Sequence, residues 1–190
     1  MAISYQVDKK WMNTDFTITG FEKGEYENCV FINCNFHALN LSNYVFIDCQ
    51  FIDSNLSTVS LNQTALRGIT FKNCKLLGLI FDTCNDFLLA LIFENCVLNH
   101  SSFYKRKLKK TVFKNTSLQE VDFSEADLSQ AVFDNCDFFN ATFGRTNLEK
   151  ADLRTSYNYV LDPENNRIKK AQFSLSGLSG LLLKYDIVVA

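Results

Sequence analysis

Ala126-Asp127-Leu128-Ser129-Gln130 and Ala151-Asp152-Leu153-Arg154-Thr155 are two copies of one five-residue unit, and that unit decides the fold. Its third position holds a large apolar residue, here called the centre. From Leu128, centres recur at every fifth position back through Phe123, Leu118, Phe113, Leu108, Phe103, Leu98 and Phe93 to Leu88. They continue forward through Phe133, Phe138, Phe143 and Leu148 to Leu153. An earlier series runs Phe16, Phe21, Tyr26, Phe31, Phe36, Leu41, Phe46, Phe51, Leu56, Leu61, Leu66, Phe71, Leu76 and Phe81. All 28 centres are Phe, Leu or Tyr. A period of five matches neither the helical period of about 3.6 nor the strand period of about 2. It marks an internal repeat, which outranks any element-by-element reading.

The other positions of the unit are patterned too. Two residues before the centre stands a compact or aliphatic residue, such as Cys29, Cys49, Ser54, Val59, Thr64, Ala126, Ala131, Cys136 or Ala151. Just before it stands a turn-prone polar residue, such as Asn35, Asn55, Asn147 or Asp152. This pattern closely resembles the pentapeptide-repeat family, whose consensus is A(D/N)LXX, over residues 16–153. The resemblance implies an all-β fold, a right-handed quadrilateral parallel β-helix of about seven coils with a small helical C-terminal cap. Four repeats make a turn on that reading, so residues twenty apart stack. Phe31, Phe51 and Phe71 form one interior column, Phe93, Phe113 and Phe133 a second, and Phe103, Phe123 and Phe143 a third. Residues 1–15, with Trp11, read as an N-terminal cap and 16–153 as the β-helix, with a two-residue insertion at 82–87. Residues 154–190 read as a turn, last coil sides and a capping or dimerisation segment.

The chain has 190 residues and a net charge of −2, unevenly spread: residues 1–100 sum to −4 and residues 101–190 to +2. No N-terminal apolar region of signal-peptide type is present. The longest apolar run, Phe87 to Phe93, falls far short of the roughly 20 residues that span a bilayer. The expectation is a cytoplasmic protein without membrane contact. Seven cysteines invite a metal or disulfide reading, but Cys29, Cys34, Cys49, Cys74, Cys96 and Cys136 all hold the compact inward position, and Cys84 would if the first series continued. Cysteine packs there as a small hydrophobe, and no C-x-x-C zinc spacing occurs. Cys29 and Cys49 would stack one coil apart, within disulfide reach, although a reducing cytosol opposes that bond. His37 and His100 fall at outward positions, and no phosphate loop, nucleotide fingerprint or catalytic serine motif is present. The reading is therefore non-enzymatic, with no cofactor.

The repeat breaks in three places. Seven residues separate Phe81 from Leu88 instead of five, and a greasy stretch follows in which Phe87, Leu89 and Ile92 should point outward. That cluster is either a binding patch or a surface covered by the inserted residues or the N-terminal segment. The second break is Arg106, at an inward position, within the only dense basic run, Lys105, Arg106, Lys107, Lys109 and Lys110. Because an unpaired buried charge is very costly, this side should bulge or Arg106 should turn out. The run itself is either a solvated face or a site for an acidic partner. The third break follows Leu153. Ile168 and Phe173 restore further sides, and Leu175, Leu178, Leu181 and Leu182 then recur at helical spacing behind Ser174 as N-cap, with Tyr185 beyond and Ile187-Val188-Val189 as a short strand. Gly177 and Gly180 weaken that helix.

The chain is also similar to the quinolone-resistance (Qnr-type) branch of the family, in its N-terminal non-repeat segment, its two interrupted runs and its non-repeat C-terminal end. Members of that branch resemble DNA in size and surface charge and bind type II topoisomerases. The resemblance implies a protein partner such as DNA gyrase or topoisomerase IV, and a homodimer through the C-terminal end. Acidic candidates for the contact are Glu120, Asp122, Glu125, Asp127, Asp134 and Asp137. The alternative is a structural or interaction scaffold with another protein partner, using the Phe87–Ile92 patch or the basic run. Direct nucleic-acid binding by the basic run is the weakest reading.

Overall fold

The computed structural model describes residues 4–188. The chain winds as a right-handed quadrilateral β-helix in which each pentapeptide forms one side of a square coil. Side one is a parallel sheet of β1 (Ser4–Val7), β3 (Gly24–Glu27), β5 (Val45–Ile47) and β7 (Ala65–Arg67). Side two is a seven-stranded parallel sheet of β2 (Lys10–Met12), β4 (Val30–Ile32), β6 (Gln50–Ile52), β8 (Ile69–Lys72), β9 (Leu91–Glu94), β10 (Val112–Lys114) and β11 (Val132–Asp134). Sides three and four are held by single parallel bridges, such as Asn35↔Asn55 and Ser117↔Asp137 on three and Ser102↔Asp122 and Asp122↔Thr142 on four.

The unit explains this geometry. The residue before the centre ties its coil to the preceding one through both backbone groups: Asn147 donates its N–H to Ala126 O (2.9 Å) and accepts at its O from the Leu128 N–H (2.8 Å). The corner needs positive φ two residues after the centre. After glycine, Asn and Asp tolerate that conformation best, and Asn13, Asn33, Asn73, Asn95, Asn115 and Asn135 supply it along the corner after side two, with φ of 49–54°. Their amides also stack. Asn115 Nδ2 donates to Asn95 Oδ1 (3.0 Å), Asn135 to Asn115 (2.9 Å), Asn95 to Asn73 (3.0 Å) and Asn73 to Asp53 (2.8 Å).

Inside, the centres fill the rod. The expected separate columns Phe31–Phe71 and Phe93–Phe133 are one column, which begins at Trp11. Successive ring centroids lie 4.9, 4.8, 5.3, 5.4, 5.0 and 4.9 Å apart from Trp11 to Phe133. On side four, Phe81 heads the column through Phe103 and Phe123 to Phe143, with spacings of 4.4, 5.4 and 5.5 Å. Rings of neighbouring columns meet edge to face, as Phe93 does with Phe103. Such pairs add about 0.5–1.5 kcal/mol beyond burial.

The interruption lies slightly later than the sequence suggests. Asn85 pairs with Ala65 and Leu91 with Ile69, so six steps on this coil match four on the coil before it. The two extra residues therefore fall within 86–90 of side one, and sides two to four keep their stacking. Leu88 is not an inward centre. It takes the positive-φ corner (φ 58°) and is exposed. Leu89, expected to face out, is half-buried and packs on the core. Asp86 occupies the centre position of this segment, and nearby Leu89 adds the apolar packing that Asp86 cannot.

Arg106 neither turns outward nor bulges its own side. Its backbone turn is regular, with its N–H on Phe103 O (3.0 Å), and Lys107 bridges Asp127. The side chain, 12% exposed, fills the disturbed level below it. There it pairs with Asp86 and donates to Cys84 O (3.3 Å) and Tyr104 O (3.4 Å).

Both ends differ from expectation. Residues 4–15 are not a separate cap. β1 pairs with β3 and β2 with β4 in the twenty-residue register, Asp15 bridges Asn35, and Trp11 stacks on Phe31. Beyond Leu153, bridges Asp137↔Tyr157, Asn147↔Arg167 and Asp152↔Gln172 prolong the stack, and Ile168 and Phe173 pack against the core. The terminal helix is a single turn, Ser179–Leu182, with Leu178 at its N-cap. Ser174 instead caps the preceding turn through its Oγ and the Gly177 N–H (3.1 Å). Leu181 is buried and Leu182 half-buried, whereas Leu175, Leu178 and Tyr185 are exposed. Both glycines are needed for contact: a Cβ on Gly180 would collide with Tyr159 O, and one on Gly177 with the Tyr159 ring. Ile187 and Val188 form no strand, and Val189 lies outside the described residues.

Candidate partner-binding surface

All seven cysteines are buried and free, so Cys29 and Cys49 are not bridged. Desolvation pushes the thiols of Cys49, Cys84 and Cys136 up to about 12. With the interior filled by centres and cysteines, the chemistry available to a partner lies on the surface.

The acidic candidates are mostly engaged within the rod. Asp122 and Asp127 each accept the N–H two residues on, from Ser124 (2.8 Å) and Ser129 (3.0 Å). Asp137 accepts the Phe139 N–H (3.1 Å), Gln119 Nε2 (2.7 Å) and Asn158 Nδ2 (2.8 Å). Asp134 accepts Thr155 Oγ1 (3.0 Å). Glu125 lies between Arg145 and Lys105 (3.6 Å) on the corner after side four; the Arg145 hydrogen bond holds its carboxyl below the usual range, with Lys105 contributing. Glu120 pairs with His100 Nδ1 (3.1 Å). These six carboxylates sit on four sides and corners, so they form no single negative face.

The basic run divides. Lys105 and Arg106 are ion-paired, while Lys107, Lys109 and Lys110 are exposed on side one and its corner. Of the apolar candidates, Phe87 (63% exposed) and Ile92 (47%) face solvent with Leu88, and Leu89 does not. The Arg67 guanidinium lies 5.1 Å over the Phe87 ring. Sequence reasoning missed Leu88 as part of the patch, because the five-residue count placed it inside. It also missed the C-terminal cleft of about 710 Å³, lined by Phe139, Tyr157, Tyr159, Val160, Gly177 and Leu183. Among the described residues no helix is long and apolar enough to cross a membrane.

This architecture, a filled square solenoid with about twenty residues per coil and a five-residue unit, defines the pentapeptide-repeat class. Residues 88–157 match the family described as "Pentapeptide repeat region", and that part of the chain is similar to this family. No curated protein matches its sequence. Among solved structures, one trypsin-treated variant of QnrB1, a plasmid-mediated fluoroquinolone resistance protein, is 20% identical and aligns over 99% of this chain and 98% of its own, with a TM-score of 0.50. A second variant is 21% identical over 100% of both chains, with a TM-score of 0.51. HetL, a pentapeptide-repeat protein involved in heterocyst differentiation regulation from the cyanobacterium Nostoc sp. strain PCC 7120, is 14% identical over 91% of this chain and 87% of its own, with a TM-score of 0.50.

Proposed function

We propose that this chain is a non-enzymatic, protein-binding rod whose partner is a type II topoisomerase, DNA gyrase or topoisomerase IV. The observation that carries the protein-binding reading is the filled core, which leaves side faces and ends as the working surfaces. The topoisomerase reading is supported by end-to-end correspondence with QnrB1, a fluoroquinolone resistance protein. Besides the Glu120–Asp137 set, which is largely engaged internally, side one and its corner gather the exposed Asp8 and Asp48 and the half-buried Glu25 and Glu27, with Asp8 accepting from Asn28 and Glu27 from the Tyr5 hydroxyl. A gyrase supercoiling assay, titrated with this protein with and without a quinolone, tests it. Rescue or direct inhibition supports the reading, and its loss on Glu25→Lys with Glu27→Lys locates the surface. No effect at several-fold molar excess leaves a scaffold for another protein partner.

A second reading concerns the C-terminal end. Leu175 (88%), Leu183 (64%) and Val160 (51%) are exposed beside the cleft at Tyr159. Such a patch favours an end-to-end homodimer. Leu183→Asp should abolish it in sedimentation equilibrium without lowering the melting temperature.

A further inference from the structure

The second half of side one carries a positive charge that the rod does not match. Lys107, Lys109, Lys110, Lys150, Lys169 and Lys170 are all exposed, and among the described residues none of them is in an ion pair. Stacking fixes their levels. Lys107 bridges Asp127, Asp127 bridges Asn147 and Asn147 bridges Arg167. The positive-φ corner after side one runs through Leu88, Lys110, Gln130, Lys150 and Lys170, with Lys109 and Lys169 beside it. The carboxylates of this face are already engaged. Asp127 accepts from the Ser129 N–H (3.0 Å) and from Asn147 Nδ2 (2.8 Å), Glu149 pairs with Arg167 (2.8 Å), and Glu125 lies between Arg145 and Lys105. One coil before Lys110 the same corner turns apolar. Phe87 (63% exposed) and Leu88 (64%) stand there, and Lys109 and Lys110 share a groove of about 300 Å³ with Leu89, Leu91 and Ile92.

We propose that this face docks an acidic peptide segment of a partner protein. The carboxylates of the segment lie on the lysine ridge, and one apolar side chain lies on Phe87, Leu88 and the groove beside them. The spacing suits an extended chain laid along the rod. Coils repeat about every 4.8 Å, which places Lys110 about 5 Å, Lys150 about 14 Å and Lys170 about 19 Å beyond Leu88. Side chains on one face of an extended peptide recur about every 7 Å. An apolar residue at the Leu88 level is then followed, at alternate positions about 7, 14 and 20 Å on, by groups at the levels of Lys110, Lys150 and Lys170. Asp86, beside the anchor, is paired with Arg106 and leaves the incoming carboxylates unopposed.

A peptide fits this face better than a nucleic acid does. A phosphate backbone has no apolar group for Phe87 and Leu88, and a duplex continued along the corner would meet the exposed Asp48 and Asp8. The face is separate from those carboxylates and from the C-terminal end, so it stands or falls apart from the topoisomerase reading and from the homodimer.

The test is fluorescence polarisation of a fluorescein-labelled synthetic heptapeptide titrated with the full chain. The peptide has leucine first, glutamate third, fifth and seventh, and serine between. The expected result is saturable binding at low salt that weakens as salt rises, because screening acts on exposed charges. Lys150→Glu with Lys169→Glu and Lys170→Glu should weaken it at least about tenfold. Glutamate is accepted at such corners, since Glu120 and Glu125 already hold positive φ. Phe87→Ser with Leu88→Asn, at exposed positions, should weaken binding severalfold while the melting temperature stays near wild type. A peptide with serine for leucine should lose as much, and one with glutamine for glutamate should not bind. Absence of saturable binding to the wild-type chain overturns the proposal, as does an affinity that ignores the lysine variant, the glutamates or the leucine. Tighter binding of a duplex DNA oligonucleotide through the same lysines overturns it in favour of nucleic acid. Lysine-dependent self-association in sedimentation equilibrium, without peptide binding, overturns it in favour of a second copy.

Discussion

Arg106 and Asp86 are two violations of the repeat that correct each other. Asp86 stands where a centre belongs, and Arg106, one coil up, stands where a compact residue belongs; the guanidinium reaches down to the carboxylate from a side chain 12% exposed. Removing one partner strands the other. Asp86→Ala should destabilise the chain by about 1–3 kcal/mol, less than a fully buried pair because Asp86 itself is half-exposed. Asp86→Leu combined with Arg106→Ala restores the repeat's own preferences and should recover most of the loss. Urea unfolding midpoints of the two variants decide it, and a double variant no better than Asp86→Ala refutes the compensation.

The continuous ring column concentrates stability in the middle of the rod. Phe113, fully buried between Phe93 and Phe133, stacks at 5.0 and 4.9 Å. Phe113→Ala should cost about 3–5 kcal/mol. Phe173, half-buried near the C-terminal end, should cost less than half as much. Equal losses in chemical denaturation would contradict this placement of the load.

Docking of the terminal segment depends on two residues without side chains. A methyl group on Gly180 meets the Tyr159 carbonyl, which is backbone and has little room to move. Gly180→Ala should therefore loosen the segment from Ser174 onward and speed tryptic cleavage at Lys184, while the solenoid melts within a few degrees of wild type. Unchanged cleavage kinetics would show that the backbone shifts at little cost.

Acid should weaken the second half of the rod. Glu125 is held below its ordinary range by Arg145 and Lys105, Asp152 by Arg154, and Asp162 and Glu164 by Lys184. A carboxylate depressed in the folded state stabilises it fully above the unfolded value, about 4. That contribution is lost as pH falls through the folded values. Unfolding free energy should be flat near neutrality and decline below about pH 4. Glu125→Gln should flatten the decline, as followed by urea titration at each pH.

Thiol chemistry offers a separate readout. With all seven cysteines buried and three of them pushed up to about 12, a disulfide reagent at pH 8 should label the folded chain only at the rate at which it opens. Fast labelling of any one thiol would reveal a local opening.

How far the sequence could be read follows from what carries each feature. The solenoid was legible because a centre every fifth residue leaves one way to stack, and the columns through Phe51, Phe103 and Phe113 come directly from counting by twenty. Counting failed where spacing alone could not locate the extra residues. Placing them at 82–87 rather than within 86–90 put Leu88 inside and Leu89 outside, and hid the pairing of Asp86 with Arg106. The first coil was missed because Gln6 is not a large apolar centre, although Trp11 continues the ring column. The acidic set looked like a surface because a sequence does not say which aspartates spend their oxygens on the turn two residues ahead, as Asp122 and Asp127 do.

The stacked amides along the corner after side two all point one way. Asn135, Asn115, Asn95 and Asn73 each donate toward the N-terminus, and the series ends on the carboxylate of Asp53. Asn55 donates to Asn35 and Asn35 to Asp15, Asn147 donates to Asp127, and Asn28 to Asp8. In each of these series an anion receives the positive end of aligned dipoles that polarise one another along the chain. These ladders give the rod an electrical direction as well as a geometric one, and truncating a middle amide such as Asn95 to alanine should be felt at Asp53 two coils away.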